Sequence, residues 1–90
     1  MNLKKKENIL FIIYKNLTKT NYMFYDCDSL SNLDLSHFNS NNVIYMNGML
    51  SFCNSLKNLN LSNFNTQYVT QTDYMFYNCN SLKKFRYIKF

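Results

Sequence analysis

The chain has 90 residues, enough for one small domain that buries only about 60–65% of the surface its unfolded form exposes, which leaves little stability in reserve for an elaborate active site. Its formal net charge of +5 sits at the ends. Residues 1–19 hold five lysines and one glutamate, residues 83–90 hold Lys83, Lys84, Arg86 and Lys89, and the stretch between sets Asp26, Asp28, Asp34 and Asp73 against Lys57. This is not the continuous basic face that nucleic-acid binders usually present. With one glycine and no proline, asparagine is left to supply much of the turn chemistry, because it tolerates left-handed backbone and forms Asx-turns.

Residues 1–16 open with Lys4, Lys5 and Lys6 and an apolar run from Ile9 to Tyr14. That run is too short for the apolar region of a secretory signal and far too short for a membrane span, and no small-residue cleavage site follows. The segment reads as the degenerate tail of a repeat, with Ile9 and Ile12 where Leu35 and Phe38 stand one period later.

From residue 17 the chain repeats every 26 residues. YMFYDCDSL (22–30) returns two periods later as YMFYNCNSL (74–82), and the diverged copy GMLSFCNSL (48–56) lies between them. Met23, Met49 and Met75 share one register, as do Cys27, Cys53 and Cys79; Leu30, Leu56 and Leu82; Leu33, Leu59 and Phe85; Phe38, Phe64 and Phe90. The units are 17–42, 43–68 and 69–90. In the first two, L-x-x-L-x-L ends in the alternation of a half-buried strand, and Leu82, Phe85 and Tyr87 hold the same places in the third. The S-x-F that follows in the first two is a turn with an inward Phe. Val43, Met46, Met49, Leu50 and Cys53 then fall at spacings of 3, 3, 1 and 3, the inward face of a short helix or helical turn. A unit of this kind cannot bury its apolar face alone, whereas stacked units can. The expected fold is therefore α/β: a leucine-rich-repeat-like, right-handed solenoid of about three units, with short parallel strands and helical turns.

The strings LDLSHFNSNNV, NLNLSNFNTQYVTQTDY and MFYNCNSLKKF over residues 17–90 resemble the repeat of BspA-type leucine-rich-repeat surface proteins. The resemblance implies a non-enzymatic fold at the cell surface or secreted, binding proteins or mediating adhesion. Asn39 and Asn65 stand where that repeat usually has Asp. Asp26 and Asn78 stand where Gly is common before the Cys, and Thr72 replaces a Met.

Three cysteines 26 apart do not fit a zinc site, which needs ligand pairs two to four residues apart. In a stack they form one inward column: a buried thiol ladder, or with one disulfide inside it. His37 reads as a solvated turn residue. The aspartates lack the register of a repeated calcium site, and the recurring Phe residues read as core rather than as a base-stacking surface. No metal, cofactor, small-molecule substrate or catalytic group is expected. Period-2 alternation places Asn32, Asp34, Ser36, Asn58, Asn60, Ser62, Lys84 and Arg86 on the exposed strand face, the candidate ligand-binding surface. The leading functional expectation is a protein-interaction or adhesion module, a fragment of a larger repeat-containing surface protein, with a protein partner. The alternative is an inert repeat remnant or spacer able to self-associate through uncapped ends. A third reading has the basic ends bind nucleic acid or an anionic surface.

Overall fold

The computed structural model describes residues 16–86, with the backbone alone at the last strand. Three short strands, β1 (Asn32–Asp34), β2 (Asn58–Asn60) and β3 (Lys84–Arg86), form one parallel sheet in the order β1-β2-β3. The register joins Leu33 to Leu59 and Leu59 to Phe85. Each partner lies one sequence period away, so the chain makes one coil per unit. A second parallel column runs through single bridges from Lys19 to Tyr45 to Gln71.

Alternation decides which side chains enter the core. Leu59 in β2 is buried between exposed Asn58 and half-buried Asn60, and β1 repeats the pattern more loosely. Met23, Met46, Met49, Leu50, Cys53, Leu56 and Leu61 are fully buried, and Phe38 stacks on Phe64 with ring centroids 5.4 Å apart. Burial peaks in the middle unit, which has a coil on either side. In the third, Val69, Phe76, Cys79 and Leu82 are only partly covered.

The segment read as a short helix or helical turn forms turns and no helix, although Val43, Met46, Met49, Leu50 and Cys53 do face inward. Among the described residues the only regular elements are the three strands. An α-helix needs each N–H for the carbonyl four residues back, and here the neighbouring coil takes every second one. The N–H groups of Thr20, Tyr22, Phe24 and Asp26 donate to the carbonyls of Tyr45, Asn47, Met49 and Ser51 at 2.8–3.0 Å. Those of Met46, Gly48, Leu50 and Phe52 donate likewise to Gln71, Asp73, Met75 and Tyr77 at 2.7–2.9 Å. The intervening N–H groups close turns onto carbonyls three residues back, as from Met23 to Thr20 and from Cys27 to Phe24.

Two such turns in every unit carry a left-handed residue third in the turn, the type II arrangement. The first position is Tyr22, Gly48 and Tyr74 (φ 56°, 61° and 59°), and the second is Asp26, Phe52 and Asn78 (57°, 63° and 58°). Gly, Asp and Asn carry this backbone readily, whereas Tyr and Phe do so with strain.

Candidate functional site

The strand face shows its residues exposed to different degrees, with Ser62 exposed and Ser36 half-buried. Asn32, Asp34 and Asn58 are exposed and Asn60 is half-buried. Lys84 and Arg86 pair in register with Asn58 and Asn60 through the backbone, and their side chains lie outside the described residues. Much of the polarity of this face is used locally. Asn58 Nδ2 donates to Asn32 Oδ1. The Ser36 N–H donates to Asp34 Oδ1 at 2.9 Å, and the Ser62 N–H and hydroxyl both donate to Asn60 Oδ1. Asp34 and Asn60 thus end their strands as Asx-turns.

A second polar column carries the same logic between coils. Asn21 Oδ1 accepts the N–H of Asn47 at 2.9 Å, and Asn47 Oδ1 accepts that of Asp73 at 3.0 Å, while Asn47 Nδ2 donates to Gln71 Oε1. Among the described residues no buried side-chain nitrogen or oxygen lacks a partner.

The cysteines form an inward column with no disulfide among them. Cys53 Sγ donates to the Phe24 carbonyl at 3.0 Å and Cys79 Sγ to the Leu50 carbonyl at 2.9 Å. Burial pushes the Cys53 thiol up to about 12 and raises Cys79 as well. A protonated, hydrogen-bonded thiol is a poor nucleophile and a poor metal ligand. Among the described residues no three of His, Cys, Asp and Glu stand close enough to hold a metal ion, and no helix is long and apolar enough to cross a membrane. His37 is exposed. Lys4, Lys5, Lys6, Lys15 and Lys89, on which the basic-end reading rests, lie outside the described residues, as do Ile9 and Ile12. A shallow groove lined by Thr18, Asn42, Ile44, Tyr68 and Thr70 holds no titratable group apart from the tyrosine.

The feature that the sequence pattern did not reveal is a ridge of rings across all three coils. Tyr22 meets Tyr25, Tyr25 meets Phe52, Phe52 meets Tyr77, and Tyr77 meets Tyr74. Every contact is edge-to-face, with centroids 5.4–5.8 Å apart. The tyrosines are 38–71% exposed. The middle coil makes the chain continuous by shifting its ring one position. It places buried Ser51 in register with Tyr25 and Tyr77, and Phe52 on the left-handed residue between them. The Ser51 hydroxyl donates to the Tyr74 carbonyl, tying the small side chain beneath the rings. Tyr22 packs against Gly48, where a Cβ would overlap its ring.

No curated protein matches the chain, and no solved structure does either. A family match does cover nearly its whole length. The chain, through residues 2–87, belongs to the family described as Mycoplasma protein of unknown function, DUF285.

Proposed function

We propose that the chain is a non-enzymatic protein-interaction module, a leucine-rich-repeat-type solenoid whose partner docks on the ridge formed by Tyr22, Tyr25, Phe52, Tyr77 and Tyr74. The observation that carries this reading is conformational. Three of the five rings, on Tyr22, Phe52 and Tyr74, stand on residues at φ 56°, 63° and 59°. Left-handed backbone disfavours a bulky residue by about 1 kcal/mol or more. The equivalent positions in other units hold Gly48, Asp26 and Asn78, which adopt it more easily. Stability is thus given up to hold rings outward, and an exposed aromatic patch is what interaction surfaces are built from. The resemblance to BspA-type repeats points the same way, toward adhesion at a cell surface.

The strand face favours a second reading, an inert spacer. Its Asn32–Asn58 and Asn60–Ser62 hydrogen bonds satisfy much of its polarity within the chain.

One experiment separates them. A photo-crosslinking phenylalanine is placed at Tyr25 or Tyr77, and in a parallel sample at Asn58, and each chain is incubated with surface proteins of cultured animal cells. A reproducible adduct from positions 25 and 77 that exceeds the one from 58 supports the ridge. A stronger adduct from 58 returns the contact to the strand face, and no adduct from any position leaves the spacer.

A further inference from the structure

We infer that Asn47-Gly48 is a self-modification site whose reaction is held off by the docking of the third coil. When that coil lifts, the Asn47 side chain cyclises onto the Gly48 nitrogen and the chain is altered for good. Asparagine is abundant in this sequence, but Gly48 is its only glycine. Every other asparagine is therefore followed by a residue whose side chain crowds and stiffens the next peptide unit. Asn47 alone precedes an unhindered and flexible one.

The step needs only water and hydroxide. Hydroxide takes the Gly48 amide proton, and the nitrogen attacks Asn47 Cγ. The N–Cγ bond forms, the Cγ–Nδ2 bond breaks, and Nδ2 leaves as ammonia. Water then opens the cyclic imide at either carbonyl, giving aspartate or iso-aspartate. Nothing is oxidised or reduced.

In the fold both reacting groups are occupied by one short stretch, residues 71–73. The Gly48 N–H donates to the Asp73 carbonyl at 2.8 Å. Asn47 Oδ1 accepts the Asp73 N–H at 3.0 Å, and Asn47 Nδ2 donates to Gln71 Oε1 at 2.7 Å. With both ends of the amide held, Cγ is not free to turn onto the next nitrogen, and that nitrogen keeps its proton while Asp73 accepts it. Gly48 is also buried. All three bonds cross to the third coil, so they break together when it undocks. That coil is the one with the thinnest cover. Val69, Phe76, Cys79 and Leu82 are only partly buried, whereas Val43, Leu50, Cys53 and Leu56, their counterparts in the middle coil, are fully buried. Segments with few buried apolar contacts open at the lowest free energy.

The products make the step one-way. Iso-aspartate routes the main chain through Cβ and adds one carbon between residues 47 and 48. The N–H groups of Met46 and Gly48 then lose the spacing that matches the carbonyls of Gln71 and Asp73. Aspartate keeps Oδ1 but sets an oxygen against Gln71 Oε1 in place of the Nδ2 donor. Tyr74 and Tyr77 ride on the third coil, so its release parts Tyr77 from Phe52 and cuts the ridge of rings in two, whatever docks there.

The test holds the full chain in mildly alkaline buffer, either folded or in guanidinium chloride above its unfolding transition. Conversion of each asparagine amide to acid is followed by peptide mass mapping. In the unfolded chain Asn47 is expected to convert first among the asparagines. In the folded chain it should convert at least about ten-fold more slowly, because only the minor open population reacts. Gln71→Ala, at an exposed position, frees Nδ2 and should raise the folded rate several-fold while leaving the unfolded rate unchanged. The iso-aspartate fraction, purified by ion exchange, should lose the nuclear Overhauser contact between the Phe52 and Tyr77 rings and keep the one between Tyr22 and Tyr25. Equal rates at Asn47 in the folded and unfolded chains would overturn the gating, as would a folded rate that Gln71→Ala leaves unaltered. An iso-aspartate fraction in which Phe52 still touches Tyr77 would overturn the link to the third coil. The folded-against-unfolded comparison on the unaltered chain keeps the test decisive if Gln71→Ala folds poorly.

Discussion

Gly48→Ala tests the ridge and the fold together. Gly48 has φ 61°, and a Cβ added there would overlap Tyr22 Cε1 and lie 2.5 Å from Cδ1. Two penalties follow. The left-handed backbone disfavours alanine by about 1 kcal/mol. The Tyr22 ring must also swing away and give up its edge-to-face packing on Tyr25, an interaction of the kind that contributes about 1 kcal/mol. The ring is half exposed, so it can move and the backbone need not. The expected total is about 2 kcal/mol, or roughly 8–16 °C in Tm for a domain of this size. The assay is urea unfolding followed by far-UV circular dichroism, with Gly48→Ala made in the native background and in Tyr22→Ala. Without the ring only the backbone penalty of about 1 kcal/mol should remain, and the difference is the coupling between the two positions. Equal penalties in both backgrounds would refute the reasoning, because they would mean that Tyr22 does not lie on Gly48.

Two further outcomes follow from the columns. The unfolded chain gives up the Cys53 proton near 9.0, whereas the folded chain holds it to about 12. The stabilisation from this thiol is therefore complete below pH 9 and is lost as the pH rises from 9 to 12. The stability gap between the native chain and Cys53→Ala, measured by urea unfolding, should narrow between pH 8 and pH 11; a constant gap would mean that the thiol ionises in the folded state as it does in the unfolded one. Asn47→Ala removes the acceptor of the Asp73 N–H and the donor to Gln71. It should destabilise by about 0.5–1.5 kcal/mol, the net contribution of a hydrogen bond whose exposed donor water can take over. Asn47→Asp, which keeps the acceptor, should cost less, and equal destabilisation by the two would show that the column does not carry the coil–coil bond.

The 26-residue period was enough to name the partners of every strand, because parallel stacking turns sequence register directly into spatial register. It also named the inward residues, since Met23, Cys53, Leu56 and Phe64 recur for the reason that they are buried. What it hid was the backbone. The spacing of Val43, Met46, Met49, Leu50 and Cys53 fits a helix and equally fits a run of turns with the same inward face. Only the hydrogen bonds between coils decide between the two. The usual sign of a left-handed residue, glycine, appears at Gly48 alone, while Tyr22, Phe52 and Tyr74 occupy that conformation unannounced. The ridge escaped for a related reason. Its middle ring is Phe52, one position out of step with Tyr25 and Tyr77, so the rings form no column in the aligned repeat. The invariant part of YMFYDCDSL is accordingly of two kinds: Met23, Phe24 and Cys27 are buried, while Tyr22 and Tyr25 repeat on the surface.

The backbone bonds between coils join residue i to residue i+25, i+26 or i+27 along the described length. Removing 26 consecutive residues would reconnect each donor to the equivalent acceptor one coil further on and leave every column intact. Removing one residue would dislocate the sheet, the thiol column and the asparagine column at once, at every position downstream. Genes of this design can therefore lengthen or shorten by recombination between their own repeats, but only in whole coils, and small insertions survive only where a loop absorbs them before the next strand. Size in this family should be quantised: related chains are expected to differ in length by multiples of 26 residues.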